Sequence, residues 1–241
     1  MKLVLLHARV LTLELLRYPA FLVPTLVFPA AFFVVFVPSG TGDPAIRMAT
    51  FAGFAAIGVA FFQFGVGIAA ERASPWEAYL RTLPVGAATR ILARVVSAAL
   101  FAAATAVVVV GVALATTSPV LSAARWAELA ATLLVGTAPF ALLGIALGYW
   151  APQKGALPIA NLLYLGLSYA GGLWFPPSEL PHLVAGLSPL LPTRSLADVL
   201  AATASGHPFA PGPLARLAVF AALFGVLALW GFRRDEGRHY H

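Results

Sequence analysis

The sequence predicts an all-α integral membrane protein with six transmembrane helices. The composition is the first reason, because 61% of the 241 residues are hydrophobic and only 10% are charged, whereas an ordinary soluble domain carries about 25% charged residues. The second reason is that the apolar residues fall into six separate stretches. Each stretch is close to the roughly 20 residues that a helix needs to cross a bilayer.

The six predicted spans cover about residues 19–37, 48–70, 92–116, 127–150, 157–175 and 214–232, and none has an Asp, Glu, Lys or Arg at its middle. Residues 1–18 are rich in leucine with scattered charges. We interpret them as a helix that lies along the cytoplasmic interface and leads into the first span. The alternative is a long first span with a frayed start. His7 and Arg9 interrupt the apolar run, so we expect no cleaved signal peptide here.

The basic residues indicate which side each loop faces. If the N-terminus is cytoplasmic, 11 of the 15 Lys and Arg residues lie inside and 4 lie outside, namely Arg47, Arg125, Arg194 and Arg216. Excess Lys and Arg marks the cytoplasmic side of a membrane protein. Both termini are therefore predicted to be cytoplasmic. The same rule accounts for the net charge of +6 better than nucleic-acid binding does, because no basic run is interleaved with aromatic residues.

The sequence contains no pattern typical of a catalytic, metal or phosphate site. It has no cysteine, its five histidines are dispersed, and Glu71 and Glu77 have no neighbouring His or acid to form an acid–base pair. The phosphate-loop motif of ATP-binding proteins is absent as well. We therefore expect this chain to bind no metal or other cofactor. The hydroxyl groups inside the spans are expected to bond back to their own helices; they belong to Ser97, Thr105, Thr132, Thr137 and Ser168.

The polarity within the spans comes mainly from Gln63, Asn161, Tyr164 and Tyr169. Carriers driven by protons or sodium usually keep ionisable groups in their spans, because the coupling ion needs a partner there. A charge-free interior instead favours a route for apolar or amphipathic cargo that is driven by energy from outside the membrane.

The stretch ERASPWEAYLRTLPVG, residues 71–86, is the most polar run in the first half of the chain. Ser74 and Glu77 form a capping box around Pro75, and Pro84 ends the helix that this box starts. The pattern predicts a helix of about two turns over residues 75–82, which is too short to span. Its apolar stripe would either lie against lipid headgroups or dock into a partner; the stripe comprises Trp76, Tyr79, Leu80 and Leu83.

Residues 176–213 form the longest segment on the predicted outer side. The segment is too apolar for a solvated loop, but five prolines from Pro176 to Pro192 prevent a continuous span. We expect short helices that re-enter the outer leaflet, which irregular backbone can do only if protein covers it. The alternative is an external amphipathic cap with no role in transport.

Two groups of residues resemble the permease subunits of type-2 ABC exporters. The first is Glu71–Arg72 together with Leu83-Pro84-Val85, which is similar to the coupling region of that family. The second is similar to its re-entrant segment and comprises Phe175-Pro176, Leu180-Pro181 and Leu191-Pro192-Thr193. The layout of six spans agrees over nearly the whole chain, so residues 1–241 are read as one transmembrane domain.

The resemblance implies an exporter half that contains no catalytic residue. ATP and Mg²⁺ would bind to a separate cytoplasmic ATP-binding subunit. A second permease chain would complete a dimer, and the resemblance favours a homodimer over a heterodimer. The subunit would dock on Glu71, Arg72, Ser74, Trp76, Glu77, Tyr79, Leu80 and Arg81. Cargo would pass Gln63, Asn161, Tyr164, Tyr169, Trp174 and Phe175. The competing hypotheses are an integral-membrane enzyme or assembly factor that acts on a lipid, and a proton-coupled carrier.

Overall fold

A computed structural model describes residues 2–37, 42–72, 74, 87–208 and 210–237. Within these residues every regular element is helical, which confirms the all-α prediction. The two short 3-10 turns are Pro177–Glu179 and Ser188–Leu190. The helices are α1 (Lys2–Leu16), α2 (Pro19–Phe36), α3 (Pro44–Arg72), α4 (Ala87–Thr116), α5 (Ala123–Gly136), α6 (Ala138–Trp150), α7 (Gln153–Ala170), α8 (His182–Leu187), α9 (Pro192–Ser205) and α10 (Pro211–Gly237).

Four helical segments of the described chain are long and apolar enough to cross a membrane. They are Pro44–Arg72, Ile91–Thr116, Ala123–Trp150 and Pro211–Asp235. A shorter apolar helix, Leu22–Phe36, occupies the first predicted span, and α7 occupies most of the fifth. The count of six spans and the cytoplasmic position of the termini remain predictions.

Several helix ends follow from local chemistry. Asp43 caps α3 by accepting a hydrogen bond from the Ala45 amide at 2.8 Å, and Pro44 occupies the first turn, where a missing N–H costs nothing. Gly206 ends α9 in the left-handed conformation, with φ at 74°, which glycine adopts without strain. Such caps pair the end groups that a helix cannot satisfy internally.

The structure corrects the end of the fifth predicted span. Helix α7, which occupies the fifth predicted span, ends at Ala170 rather than near residue 175. The reason is that Gly171 and Gly172 turn the chain, and Gly172 has a φ of 81°. A side chain at Gly171 would overlap Thr193 at the start of α9. The Thr193 hydroxyl donates to the Leu167 carbonyl at 2.6 Å and so joins the two helices.

The fourth predicted span lies within Ala123–Trp150, which is long and apolar enough to cross a membrane, and it contains one break. The break is at Thr137, which ends α5 and precedes Pro139 in the first turn of α6. Residues 1–18 also differ from a single frayed span, since α1 ends at Leu16 and α2 starts separately at Pro19. Whether α1 lies on a membrane interface stays a prediction.

The interior of the fold is organised around α3. Its first part, Pro44–Val59, packs against α2, α4 and α9, while α6 and α10 form a close pair beside its other end. Helix α9 is in turn enclosed by α3, α5, α7 and α10. Its Leu196 and Leu200 are fully buried, so this part of the segment 176–213 is covered by protein.

Hydroxyl groups join some of the helices to one another. Thr105 and Thr137 bond back to carbonyls of their own helices, at 2.9 and 2.6 Å, as expected. The expectation is wrong for Thr132, whose hydroxyl lies 3.2 Å from that of Thr203 and links α5 to α9. It is also wrong for Ser97, which accepts a hydrogen bond from Thr12 at 3.1 Å and links α4 to α1.

Candidate functional site

The predicted docking stretch begins at the end of α3. Glu71 and Arg72 form the last turn of this helix, and the Ser74 amide donates to the Glu71 carbonyl at 2.9 Å. The helix predicted over residues 75–82 lies outside the residues that the structure describes. The same holds for five of the predicted docking residues, which are Trp76, Glu77, Tyr79, Leu80 and Arg81.

The Arg72 guanidinium joins three helices at one point. Its Nε and Nη2 atoms donate to Oδ1 of Asp235 on α10, at 2.9 and 2.5 Å. Its Nη1 atom donates to the carbonyls of Gly148 and Tyr149 in the last turn of α6, at 2.8 and 2.9 Å. We name these four residues the Arg72 hub. The planar fork of donors suits arginine to this role, because lysine presents a single point charge.

The partners of Arg72 have physical reasons to attract a cation. The last carbonyls of α6 have no acceptor role inside their own helix, and the end of a helix carries a partial negative charge. The ring of Tyr149 adds a cation–π contact, with the guanidinium carbon 5.6 Å from its centroid. Asp235 is buried, with only 6% of its side chain exposed, so its charge requires a close partner.

Aromatic contacts hold α6 and α10 together beside the hub. The Trp150 indole donates to the Leu227 carbonyl at 3.1 Å, and its ring lies 4.8 Å from that of Trp230. The Tyr149 and Phe232 rings are 5.6 Å apart. The last turns of the two helices are therefore fixed to each other independently of their contacts with Arg72.

Glu71, the neighbour of Arg72, forms an ion pair with Arg94 of α4. Two consecutive residues at the end of α3 thus connect it to α4, α6 and α10. The predicted docking roles of Glu71 and Arg72 have to be considered with these internal contacts, because the Arg72 donors already bind protein atoms.

Four of the six predicted pathway residues lie in one aromatic cluster. Tyr164 and Tyr169 are on α7, and Trp174 and Phe175 follow it. Tyr164 stacks on Phe54 of α3, with centroids 4.6 Å apart and planes 3° from parallel. The cluster as a whole joins α2, α3, α7 and the segment after α7, and it consists of Phe32, Phe36, Phe54, Tyr164, Tyr169, Trp174 and Phe175.

The other two predicted pathway residues, Asn161 and Gln63, are not aromatic and are not members of this cluster. Asn161 lies on α7 three positions before Tyr164, which is the same face of the helix, and is partly buried. Gln63 lies in the π-helical part of α3, Ala60–Val66, and is 7% exposed. Its Nε2 atom has no hydrogen-bond partner among the described residues. Segments of π-helix occur frequently at functional sites.

A second arginine fixes the opposite end of α3. Arg47 is buried and donates to the Trp174 carbonyl at 2.9 Å and to Glu179 at 3.0 Å. It thereby fastens the segment after α7 across the aromatic cluster. The sequence predicts only a loop charge at Arg47, because its partners Trp174 and Glu179 are 127 and 132 positions away and no local pattern joins them.

Sequence reasoning also missed the phenylalanines of the cluster and Asp235. Phe32 and Phe36 are four residues apart and so share one face of α2, which is a readable signal. Asp235 stands in the run RRDEGRHYH, which resembles a solvated tail. Its partner Arg72 is 163 positions away, and no local pattern could have joined the two.

Comparison with known proteins supports the resemblance found in the sequence. No protein-family model matches the chain. Over 187 residues the chain is 24% identical to a Bacillus subtilis (strain 168) protein described as "Putative transport permease YvfS", and this match covers 75% of the chain and 76% of that protein. The resemblance to transport permeases is thereby confirmed. With its membrane-length helices, the chain is a multi-pass protein of the cell membrane.

Proposed function

We propose that this chain is the membrane-spanning permease subunit of an ATP-driven ABC exporter that moves an apolar or amphipathic molecule outward. The observation that carries the proposal is the similarity to a transport permease over most of both chains. The predicted spans add support because they hold no central charge, whereas carriers driven by protons or sodium usually keep ionisable groups there. Drugs, lipids and glycans are the cargo classes that fit.

Energy would come from a separate cytoplasmic subunit that binds ATP and Mg²⁺, since this sequence has no phosphate-loop motif. That subunit would dock on the stretch from Glu71 to Arg81. The proposed topology has six spans and cytoplasmic termini, so this stretch would face the cytoplasm. The Arg72 hub supports the assignment, because a docking element can transmit movement only if the helix next to it is held firmly.

Cargo would pass along the interface between two copies of the chain, beside the aromatic cluster. Flat aromatic faces bind apolar and ring-shaped molecules through area and stacking. Gln63 and Asn161 would supply the polar contacts on this route, and Gln63 is suited to it because its buried amide nitrogen lacks a partner among the described residues. A group in that state gains free energy when a ligand pairs with it.

Copurification in mild detergent tests the proposal directly. We expect an ATP-binding subunit that carries a phosphate-loop motif to copurify with the chain. Proteoliposomes containing the complex should then extrude an amphipathic dye when ATP and Mg²⁺ are supplied on the side of the subunit. A chain that purifies without any ATPase, from the cells that express it naturally, would overturn the proposal.

The docking assignment has its own test. Replacing Trp76 and Tyr79 together by alanine should abolish copurification of the ATP-binding subunit, while the chain remains inserted in the membrane. The matched control is Tyr18→Ala, since Tyr18 is also an exposed aromatic residue but lies outside the stretch. Equal loss in both variants would contradict a specific docking role.

Because the chain has no cysteine, its topology can be tested with single introduced thiols. An impermeant reagent added outside intact cells should label Ser178→Cys and leave Ser74→Cys unlabelled. After permeabilisation both should react. Labelling of Ser74→Cys alone in intact cells would reverse the proposed orientation.

A further inference from the structure

The contacts of the Arg72 side chain give α3 a specific mechanical connection. Within the described residues the guanidinium donates only to α6 and α10, through two carbonyls and one carboxylate. Arg72 is also the last helical residue before the predicted docking helix. Any movement of the docking stretch that is passed to α3 must therefore be passed through Arg72.

The two parts of α3 have different neighbours. Pro44–Val59 packs against α2, α4 and α9, whereas the π-helical segment Ala60–Val66 packs mainly against α6 and α7. The last turn, Gly67–Arg72, also contacts α6 and α7. The end of α3 therefore packs mainly with α6 and α7, and Arg72 joins it to α10. The ion pair of Glu71 with Arg94 is its link to α4, which otherwise packs with the beginning of α3.

The π-helical segment separates these two parts, and it is the place where α3 can bend. Helices bend at π-type irregularities, where the regular ladder of hydrogen bonds is interrupted. A push on residues 73–86 has two possible results. The last turn of α3 can tilt alone about Ala60–Val66, or it can carry α6 and α10 with it.

We propose that Asp235 is a positioning residue that decides between these results. Its carboxylate accepts two of the four hydrogen bonds that the Arg72 guanidinium donates and supplies the negative charge that holds this guanidinium in place. The last turn of α3 then moves as one body with α6 and α10, which aromatic contacts already join to each other. Movement of the ATP-binding subunit is then passed to α10 rather than absorbed by bending. This inference rests on the proposed function, and it adds the route by which the movement enters the membrane domain.

Asp235→Asn tests the route while nearly preserving side-chain shape. The complex with the ATP-binding subunit should form and hydrolyse ATP, but the number of cargo molecules moved per ATP should fall about five-fold or more, the range of typical coupling between sites. Asp235→Glu, which restores the charge, should recover most of the ratio. Glu128→Gln is the matched control, since Glu128 is an exposed acid on α5 and its neutralisation should leave the ratio unchanged.

A second variant keeps the test valid if Asp235→Asn folds poorly. Asp235→Ser leaves Arg72 in place with its two carbonyl partners on α6 and removes the carboxylate. It should fold and bind the ATP-binding subunit, and its transport per ATP should be as low as in Asp235→Asn. A normal ratio in the folded second variant would overturn the inference.

A distance measurement distinguishes transmission from a general loss of stability. Spin labels at Ala70→Cys and Arg233→Cys, both exposed positions, report the separation of α3 and α10 in the full complex. With Asp235 present, the distance should be the same with and without bound ATP. With Asp235→Asn, it should change when ATP binds.

The outcomes separate the two proposals. If the unmodified chain binds no ATPase, the proposed function fails and this inference fails with it. If the unmodified complex couples ATP to transport and Asp235→Asn leaves both the ratio and the distance unchanged, only the role of Asp235 is wrong.

Discussion

Helix α3 has an ion pair that contains an arginine near each of its ends. The arginine is the buried member of one pair, and the acid is the buried member of the other. In the pair of Arg47 with Glu179 the cation is buried, with 8% of its side chain exposed, and the acid is 48% exposed. In the pair of Arg72 with Asp235 the acid is buried at 6%, and the cation is 21% exposed. The two ends therefore depend on different members of their pairs.

The comparison shows that the residue whose loss is most costly need not be the most buried one. Removing the more exposed member takes a charged partner from the buried group, and breaking a buried pair in this way is strongly destabilising. Removing the buried member leaves a charge that water can solvate. Each pair should therefore be more sensitive at its exposed side.

The largest effect is expected for Arg72→Ala. The substitution leaves Asp235 buried without its guanidinium and also leaves the Gly148 and Tyr149 carbonyls without this donor. We expect a loss of about 3–5 kcal/mol in the free energy of unfolding, measured by SDS titration from mixed micelles. Asp235→Ala should cost less, because Arg72 retains two carbonyl partners. The opposite order would refute the comparison.

Glu179→Ala is expected to have the second largest effect. Arg47 would lose its counter-charge but keep the hydrogen bond to the Trp174 carbonyl at 2.9 Å. One remaining strong acceptor limits the loss to about 1–3 kcal/mol in the same SDS titration. A loss as large as that of Arg72→Ala would mean that the carbonyl contributes nothing.

Arg47→Met should be milder than Glu179→Ala, although Arg47 is the more buried residue. Methionine fills much of the same volume, and Glu179 can rotate into solvent, so we expect a loss of about 1 kcal/mol or less. Comparing the two variants in one titration checks the sign of the difference. If Arg47→Met were the worse, packing rather than charge would control this end of α3.

The smallest effect is expected for Arg194→Gln. Arg194 pairs with Asp198 at 2.7 Å, four residues along α9, and Asp198 also has Arg216 within 3.7 Å. Pairs of this kind on a helix contribute about 0.3–0.5 kcal/mol, so the unfolding midpoint should hardly move. A large shift would show that α9 is held by charge rather than by its buried Leu196 and Leu200.

The sequence predicted the elements of this fold better than their connections. Stretches of apolar residues and the leucine-rich pattern of α1 are local features, and helices appear at all of them. The error at the end of α7 came from extending an apolar run past Gly171 and Gly172, although the glycine pair was visible. Tertiary contacts are different, because Arg72 with Asp235 and Arg47 with Glu179 join residues that are far apart in the chain.

The candidate site was predicted unevenly for the same reason. Polarity predicts Tyr164 and Tyr169, the family motif indicates Trp174 and Phe175, and the structure brings the four together. Their partners on α2 and α3 cannot be predicted in this way, because phenylalanines in an apolar helix resemble any residues that face lipid. The role of the docking helix over 75–82 stays a prediction that the proposed copurification can test.

The π-helical segment of α3 acquires a further property from the two arginine pairs. A π-helix accommodates more residues in each turn than an α-helix, so its conversion to α-helix would rotate one flanking part of α3 by about 100° per residue released, since an α-helix has 3.6 residues per turn. Neither part can rotate while Arg47 and Arg72 are both bound to other elements. The two arginine pairs therefore hold Ala60–Val66 in its π-helical form. Release of either arginine would allow one part of α3 to rotate and this segment to become α-helical.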